Sequence, residues 1–453
     1  MKHILSLAIP LIVSQLISMA LVLTDVWMMA RLSVEDLAGG GLGASVYTFV
    51  FLVSGSIVGC VANLIAIAYG QSVARPSFGR QQIRFAVKGA LILSVVITAI
   101  ASLALNLTDE LLAVAKQPVD AIPSATNYLD ALKWAMLPTL LLLILRGLTS
   151  TFGDAKSVMW MSLATVVLNV PLSYWFAFTL KGGIAGLGWG TTLAATLILF
   201  AYGAWVFRQE KYYRFAPWKR GSEYSWRLTL PLLSLGLPIA VASALELSLI
   251  YGSTILAGML GVTALALHQV LLQCLNFSFN INFGFSQAAA ILTGKDFGQE
   301  RFQNIKVIAL RSFILVTLIS ALLAITFSTW PHVIAGMFDF DSSNQNLSNE
   351  LASIIWVVAL CFVVDGWQLL TMNLLRGMKI VNMPMLLTAI GYWVFGLSSA
   401  WGLMAHFQLV GVWGGVAIGL AATGILLIGL LTISFKRSIK PPTVTQKSQK
   451  HCY

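Results

Sequence analysis

The sequence predicts an all-α integral membrane protein whose twelve transmembrane helices form two pseudo-symmetric six-helix bundles around a central cavity. Three observations carry that expectation. Of 453 residues, 58% are apolar and only 10% are charged, and the mean hydropathy of +0.84 lies far outside soluble globular composition. The apolar residues gather into long continuous runs bounded by Gly, Pro or charge, which favours helices over the short alternating segments of a barrel. The two halves of the chain also repeat one another.

The runs give spans near 4–30, 43–69, 87–107, 128–150, 157–180 and 184–207, then 228–259, 264–292, 307–330, 351–375, 383–406 and 410–435. The first is too long for a signal-peptide core and reads as a retained span. Cys60, Cys274 and Cys361 sit inside apolar runs and Cys452 near the end, without CxxC or metal-ligand spacing, so neither disulfides nor a structural metal are expected.

Twelve spans place both termini on one side. All but four of the 28 Lys and Arg fall on that side, leaving Arg31, Lys116, Lys133 and Lys181 on the other, where Asp339, Asp341 and Glu350 lie in a loop without Lys or Arg. The positive-inside rule then puts both termini in the cytoplasm. It also accounts for the net charge of +11 without nucleic acid as a partner.

The longest basic stretch, Arg208 to Arg227, divides the chain. At an offset of 228, Leu5-Ser6-Leu7 and Pro10 face Leu233-Ser234-Leu235 and Pro238, and Gly70-Gln71 faces Gly298-Gln299. At 230, Arg146-Gly147 faces Arg376-Gly377. The expected organisation is a first lobe over 1–207, a basic inter-lobe loop over 208–227, a second lobe over 228–437 and a disordered polar tail over 438–453. Six-span repeats keep the same orientation, giving two bundles about an axis along the membrane normal, the geometry of an alternating-access transporter.

Three of the seventeen Asp and Glu residues fall well inside spans: Asp25, Glu246 and Asp365. An ionised carboxylate facing lipid is strongly disfavoured, so each must point into a bundle, take up a proton or meet a cation. The repeat does not duplicate them, since they face Ser253, Ser18 and Ala135, which points to a task peculiar to each half. Arg146 and Arg376 fall near helix ends, so a cation or proton is the expected partner. Each carboxylate has a structural alternative: Asp25 as a helix-end group near Arg31, Glu246 held neutral by Ser243 or Ser248, Asp365 as a cap for a helix broken at Gly366.

Less specific signals follow. In the eighth span Asn276, Asn280 and Asn282 alternate with Phe277, Phe279, Phe283 and Phe285. They line a cavity for flat aromatic cations or make ordinary interhelical contacts. Asn169, two residues before Pro171, offers an oxygen to a cation at an opened turn or simply satisfies a proline kink. His268 is placed at a helix end, and Gly39-Gly40-Gly41 reads as a tight connection between spans. The chain lacks GxxxxGK[ST], HExxH and GxSxG, and no catalytic constellation points to an enzyme.

The first-span LAIPLIVSQL with Thr24-Asp25, Glu246 in the seventh span, Asp365 in the tenth and the Leu375-Arg376-Gly377 turn together resemble the multidrug and toxic compound extrusion family, its NorM-like branch most of all. The resemblance covers Ile4 to about Ser434. It implies a V-shaped pair of lobes in the bacterial inner membrane, exporting amphipathic organic cations in exchange for H+ or Na+, without a cofactor. A monomer is expected, since two halves of one chain can form the pathway. By the resemblance, Asp25 is the N-lobe carboxylate, Glu246 and Asp365 the C-lobe pair that binds a monovalent cation, and Asn169 part of an N-lobe cation site. Ser173 stands where some relatives carry an acid. The chief rival is a lipid or lipid-linked oligosaccharide flippase of related fold, whose pyrophosphate cargo favours Arg or Lys in the cavity. A major-facilitator antiporter fits poorly, because GQSVARPSFGRQQIR between spans two and three lacks that family's acidic and basic signature.

Overall fold

The computed structural model describes residues 2–114, 121–331, 333–334 and 345–439. Lys116, Asp339, Asp341, Cys452 and the tail from Lys440 lie outside them. The first half contains α1 (Lys2–Leu32), α2 (Val34–Gly59), α3 (Val61–Ala74), α4 (Pro76–Asn106), α5 (Thr108–Val114), α6 (Ile122–Leu132), α7 (Met136–Thr151), α8 (Ala155–Tyr174) and α9 (Gly183–Arg208). A single turn, α10 (Glu210–Tyr213), lies in the connecting loop. The second half contains α11 (Leu230–Met259), α12 (Val262–Gly298), α13 (Phe302–Thr329), α14 (Gln345–Gly377), α15 (Asn382–Ala389) and α16 (Ser398–Ile439).

Eleven helical stretches among the described residues are long and apolar enough to cross a membrane. The last, Asn382–Lys436, has 55 residues and at ~1.5 Å per residue is more than twice the thickness of a hydrocarbon core. Gln408 inside it has φ 51° and ψ −133°, a break that makes two crossings and brings the total to twelve. α2 and α3 meet at Cys60, which keeps right-handed helical angles, so they make one long crossing. α12 is its single-helix counterpart in the repeat.

The repeat solves the first interhelical turn in two ways. Gly261 ends α11 with φ 116°, a conformation that strains any residue with a Cβ. Ser33, at the matching position, is extended and caps α2 by accepting from the Asp36 N–H at 2.9 Å. The Gly39-Gly40-Gly41 run therefore lies within α2 and is not the tight connection expected. A Cβ on Gly39 would meet the Ala121 carbonyl and Ser124 at 2.5 Å, and one on Gly40 would meet Met29 of α1 and Ile184 of α9, so these two serve helix packing, while Gly41 faces open space.

The halves join by pseudo-two-fold contacts, α1 on α12 and α11 on α2, with α3 also on α12. Gly284 lies against the Ile12 backbone and Gly236 against that of Ile57. Gly70 and Gly298, already matched by the repeat, meet each other: a Cβ on Gly70 would strike the Lys295 carbonyl oxygen, and one on Gly298 that of Ile67. These contacts occupy the ends of the helices that carry the basic loops. The bundles thus meet at the basic end, where the Gly70 and Gly298 backbones touch.

Among the described residues, the ion pairs that tie the loop between the halves to a helical bundle all go to the first half. Arg84 on α4 donates to both Glu223 oxygens at 3.1 and 3.0 Å, and Lys88 donates to Glu223 at 3.0 Å and to the Arg220 carbonyl at 2.7 Å. Lys88 is 1% exposed, so its charge depends on that carboxylate. The Arg84 hydrogen bonds, reinforced by Lys88, hold Glu223 at about 2 against an ordinary value of 4.5. A depressed carboxyl pKa means the stabilisation is complete above pH 4.5 and is lost as the pH falls toward 2. Glu223→Gln should therefore cost about 2 kcal/mol at pH 7 by stranding Lys88, whereas Lys88→Met should cost less. Thermal unfolding at pH 7 and pH 3 checks this, and a gap between wild type and Glu223→Gln that does not narrow at pH 3 would count against it.

Candidate cation and substrate sites

The structure divides the three carboxylates between the halves. Glu246 on α11 and Asp365 on α14 lie within electrostatic reach of each other. Asp365 is buried, and its Oδ2 has no hydrogen-bond partner among the described residues. α14 continues unbroken through it, so the helix-cap alternative fails. Gly366 is instead where α14 closes on its neighbours, a Cβ there meeting Val316 at 2.8 Å and Asn282 at 3.0 Å.

Two further residues complete this centre. Tyr392 is fully buried within a π-helical segment, Ile390–Leu397, and interacts electrostatically with Glu246, Asp365 and Arg376. The extra residue of a π turn shifts the side chains that follow it, a device frequent at functional sites. Its hydroxyl lies within reach of the Gln368 side chain, and neither that hydroxyl nor the Gln368 Oε1 has a further hydrogen-bond partner among the described residues. Unsatisfied oxygens gathered beside two carboxylates are the donor set of a hard monovalent cation or of a shared proton.

Arg376 corrects the expectation that no cation lies near the carboxylates. It is within electrostatic reach of Glu246 and of Cys60 in the other half. Arg146, its repeat partner, crosses between the halves and donates to Gln287 at 2.8 Å. Both arginines stand near helix C-termini, and helical side chains lean toward the N-terminus, so these reach back into the protein rather than out to the loops.

Asp25 is apart from that centre. It lies in α1 with Oδ1 buried and unpartnered, within electrostatic reach of Tyr128 on α6, which also interacts with Tyr47 on α2. Asp25 itself is half-buried, seven residues before the end of α1. Asn169 is buried, donates to Thr191 at 2.9 Å and accepts from Ser173 at 3.4 Å. These two are satisfied within the first half, where Gly190 on α9 fits against the Ser173 backbone.

On α12 the expected cavity residues separate. Asn276, Asn280, Phe283 and Gln287 share one helical face, and Gln287 receives Arg146 there, which marks that face as the one between the halves. Phe279 stacks on Phe283 at 5.7 Å. Phe277 turns away to Phe327 at 6.1 Å, Phe285 is buried in the core, and Asn282 bridges Ser320 and the Phe362 carbonyl. His268 is not at a helix end: it is buried in α12, with Nε2 3.1 Å from the Thr254 hydroxyl and its ring beside Trp413. The residues that sequence reasoning missed here are Tyr392, Gln368, Arg376, Tyr128 and Tyr47. A tyrosine inside an apolar span, as in Gly391-Tyr392-Trp393, was the available signal.

Known proteins share this fold. Chains described as probable multidrug resistance protein NorM are similar throughout. The one from Pseudomonas putida is 32% identical, covering 94% of this chain and 93% of its own. The one from Pseudomonas aeruginosa is 30% identical, covering 100% and 93%. Solved structures share the fold at low identity. One described as an outward-facing conformation of a multidrug resistance MATE family transporter has a TM-score of 0.88 at 19% identity. One described as MATE in the bent conformation has 0.86 at 20%; each match covers 97% of both chains. The family model described as MatE matches twice, over residues 10–175 and 238–401, its two copies beginning at the offset read from the repeat, and the chain accordingly belongs to the MatE family.

Proposed function

We propose that the protein is a secondary active multidrug efflux antiporter, not an enzyme, that exports amphipathic organic cations in exchange for H+ or Na+ by alternating access. The observation that supports this reading is the centre formed by half-buried Glu246 and buried Asp365, where the unpartnered Asp365 Oδ2 lies within electrostatic reach of Glu246 and Tyr392. One H+ or Na+ occupies that centre, and Asp25 with its tyrosines forms a second acidic locus in the first lobe. Asn169 and Ser173 are a weaker candidate cation contact. The lipophilic cation lies against Asn276, Asn280 and the Phe279–Phe283 stack, whereas Phe277, turned toward Phe327, takes no part. The lobes are 1–207 and 228–437, joined by 208–227, and the chain works as a monomer in the bacterial inner membrane with both termini cytoplasmic.

Arg146 and Arg376 between the halves favour a second reading, a flippase for lipid-linked pyrophosphates. Purified protein in sealed liposomes separates the two. Efflux of a fluorescent organic cation driven by an imposed H+ or Na+ gradient, and lost in Glu246→Gln, supports the antiporter. Gradient-independent transport with wild type and variant alike, together with binding of polyprenyl pyrophosphates, supports the flippase.

A further inference from the structure

We infer that the flank of the first half, where α9 meets the connecting loop, is a binding site for an anionic phospholipid of the bilayer. A cleft of about 480 Å³ opens there, lined by Phe207, Arg208, Glu210, Tyr213 and Trp218 with Ala204. Trp218 stands edge-on to Phe207 at 5.3 Å, and the Lys219 ammonium lies 3.5 Å from the centre of the Tyr213 ring. Arg208 and Lys219 form no ion pair among the described residues, whereas Lys211 is engaged by Asp154 and Glu223 by Arg84 and Lys88. Glu210 and Arg208 both line the cleft, and Lys219 lies on its Tyr213 wall, so two cations stand at a cleft with one carboxylate.

The base of the cleft is firm. Tyr212, Phe215 and Ala216 are buried, and Tyr212 donates to Asp154 at 2.7 Å. Below the cleft, Leu197, Phe200, Ala204 and Arg208 follow one another at helical spacing along a single exposed face of α9. Phe200 is 71% exposed. An apolar track that ends in a cationic, aromatic-walled cleft matches a lipid: acyl chain along the helix, phosphate between Arg208 and Lys219, aromatic rings at the headgroup level. A free phosphate would make no use of the track.

The test is native mass spectrometry of the full chain in detergent, with phosphatidylglycerol and phosphatidylcholine of identical acyl chains. Wild type should retain phosphatidylglycerol in preference, and each cation removed in Arg208→Gln and Lys219→Gln should reduce the preference by roughly fivefold. Lys156→Gln, an exposed lysine elsewhere on the same end, should leave it intact. Glycerol phosphate should not displace the lipid, and Trp218→Ala should weaken retention of both lipids. Equal retention of the two lipids by wild type, an unchanged preference in the double variant, an equal loss in Lys156→Gln or displacement by glycerol phosphate would each overturn the assignment. Every substituted residue but Lys219, which is half-buried, is exposed, and melting curves confirm that the variants are folded.

Discussion

Asp365→Asn should reduce gradient-driven efflux to the level seen without a gradient, while the protein still inserts and folds. The substitution is isosteric, so packing of α14 against Gly366's neighbours is kept. It removes the ability to carry charge or exchange a proton, at a buried oxygen that has no partner to take over. Coupling between two sites is typically ~5–150-fold in affinity, and the proposed antiport puts the whole of that factor on the carboxylate pair. Glu246→Gln should behave alike, whereas Tyr392→Phe, which removes only a hydroxyl, should slow transport without uncoupling it. Dye efflux from liposomes with imposed H+ or Na+ gradients reads these outcomes. Full gradient response in Asp365→Asn would sink the coupling role of the pair.

The second large effect is expected at Gly298. A leucine there places a side chain against the Ile67 carbonyl of α3, and neither backbone can yield without parting α3 from α12. Overpacking of this kind costs about 1–3 kcal/mol, enough to move a two-state equilibrium by roughly 5–150-fold. The halves should separate at the basic end, and transport should stall because one of its two states is disfavoured. Spin labels at Val73 and Glu300, exposed residues flanking the contact, should report a longer distance in Gly298→Leu than in wild type. An unchanged distance would show that the contact does not govern that end. Gly70→Leu, against Lys295, should reproduce the effect.

Helical class, the number of crossings and the repeat were legible because each depends on pattern summed over many residues. Run length fixed the crossings, and Gly70-Gln71 with Gly298-Gln299 gave the register that the structure turns into a contact. The three interior carboxylates stood out because charge in an apolar span is rare. What surrounds them was not legible. Tyr392 reaches Glu246 and Asp365 from a π-helical segment, whose extra residue leaves no trace in hydrophobic spacing. Arg376 was misplaced because position along a helix was read as depth, whereas its long side chain leans back toward the middle of α14. Gly39-Gly40-Gly41 was misread for a related reason: within a membrane, glycine marks close helix packing as often as a turn. Phe277 and Phe283 looked equivalent in a list, and only the helical face of Gln287, set by Arg146, tells them apart.

The asymmetric fastening of the connecting loop bears on how the protein can be taken apart. Glu223, held by α4, makes the stretch up to that residue a piece of the first half, although it follows the sixth crossing. A gene divided into two co-expressed fragments should therefore be cut between Glu223 and Trp226. The amino-terminal fragment then keeps the acid that Lys88 needs. Cutting at Arg208 instead would leave a buried lysine facing nothing, and the two pieces would reassemble poorly.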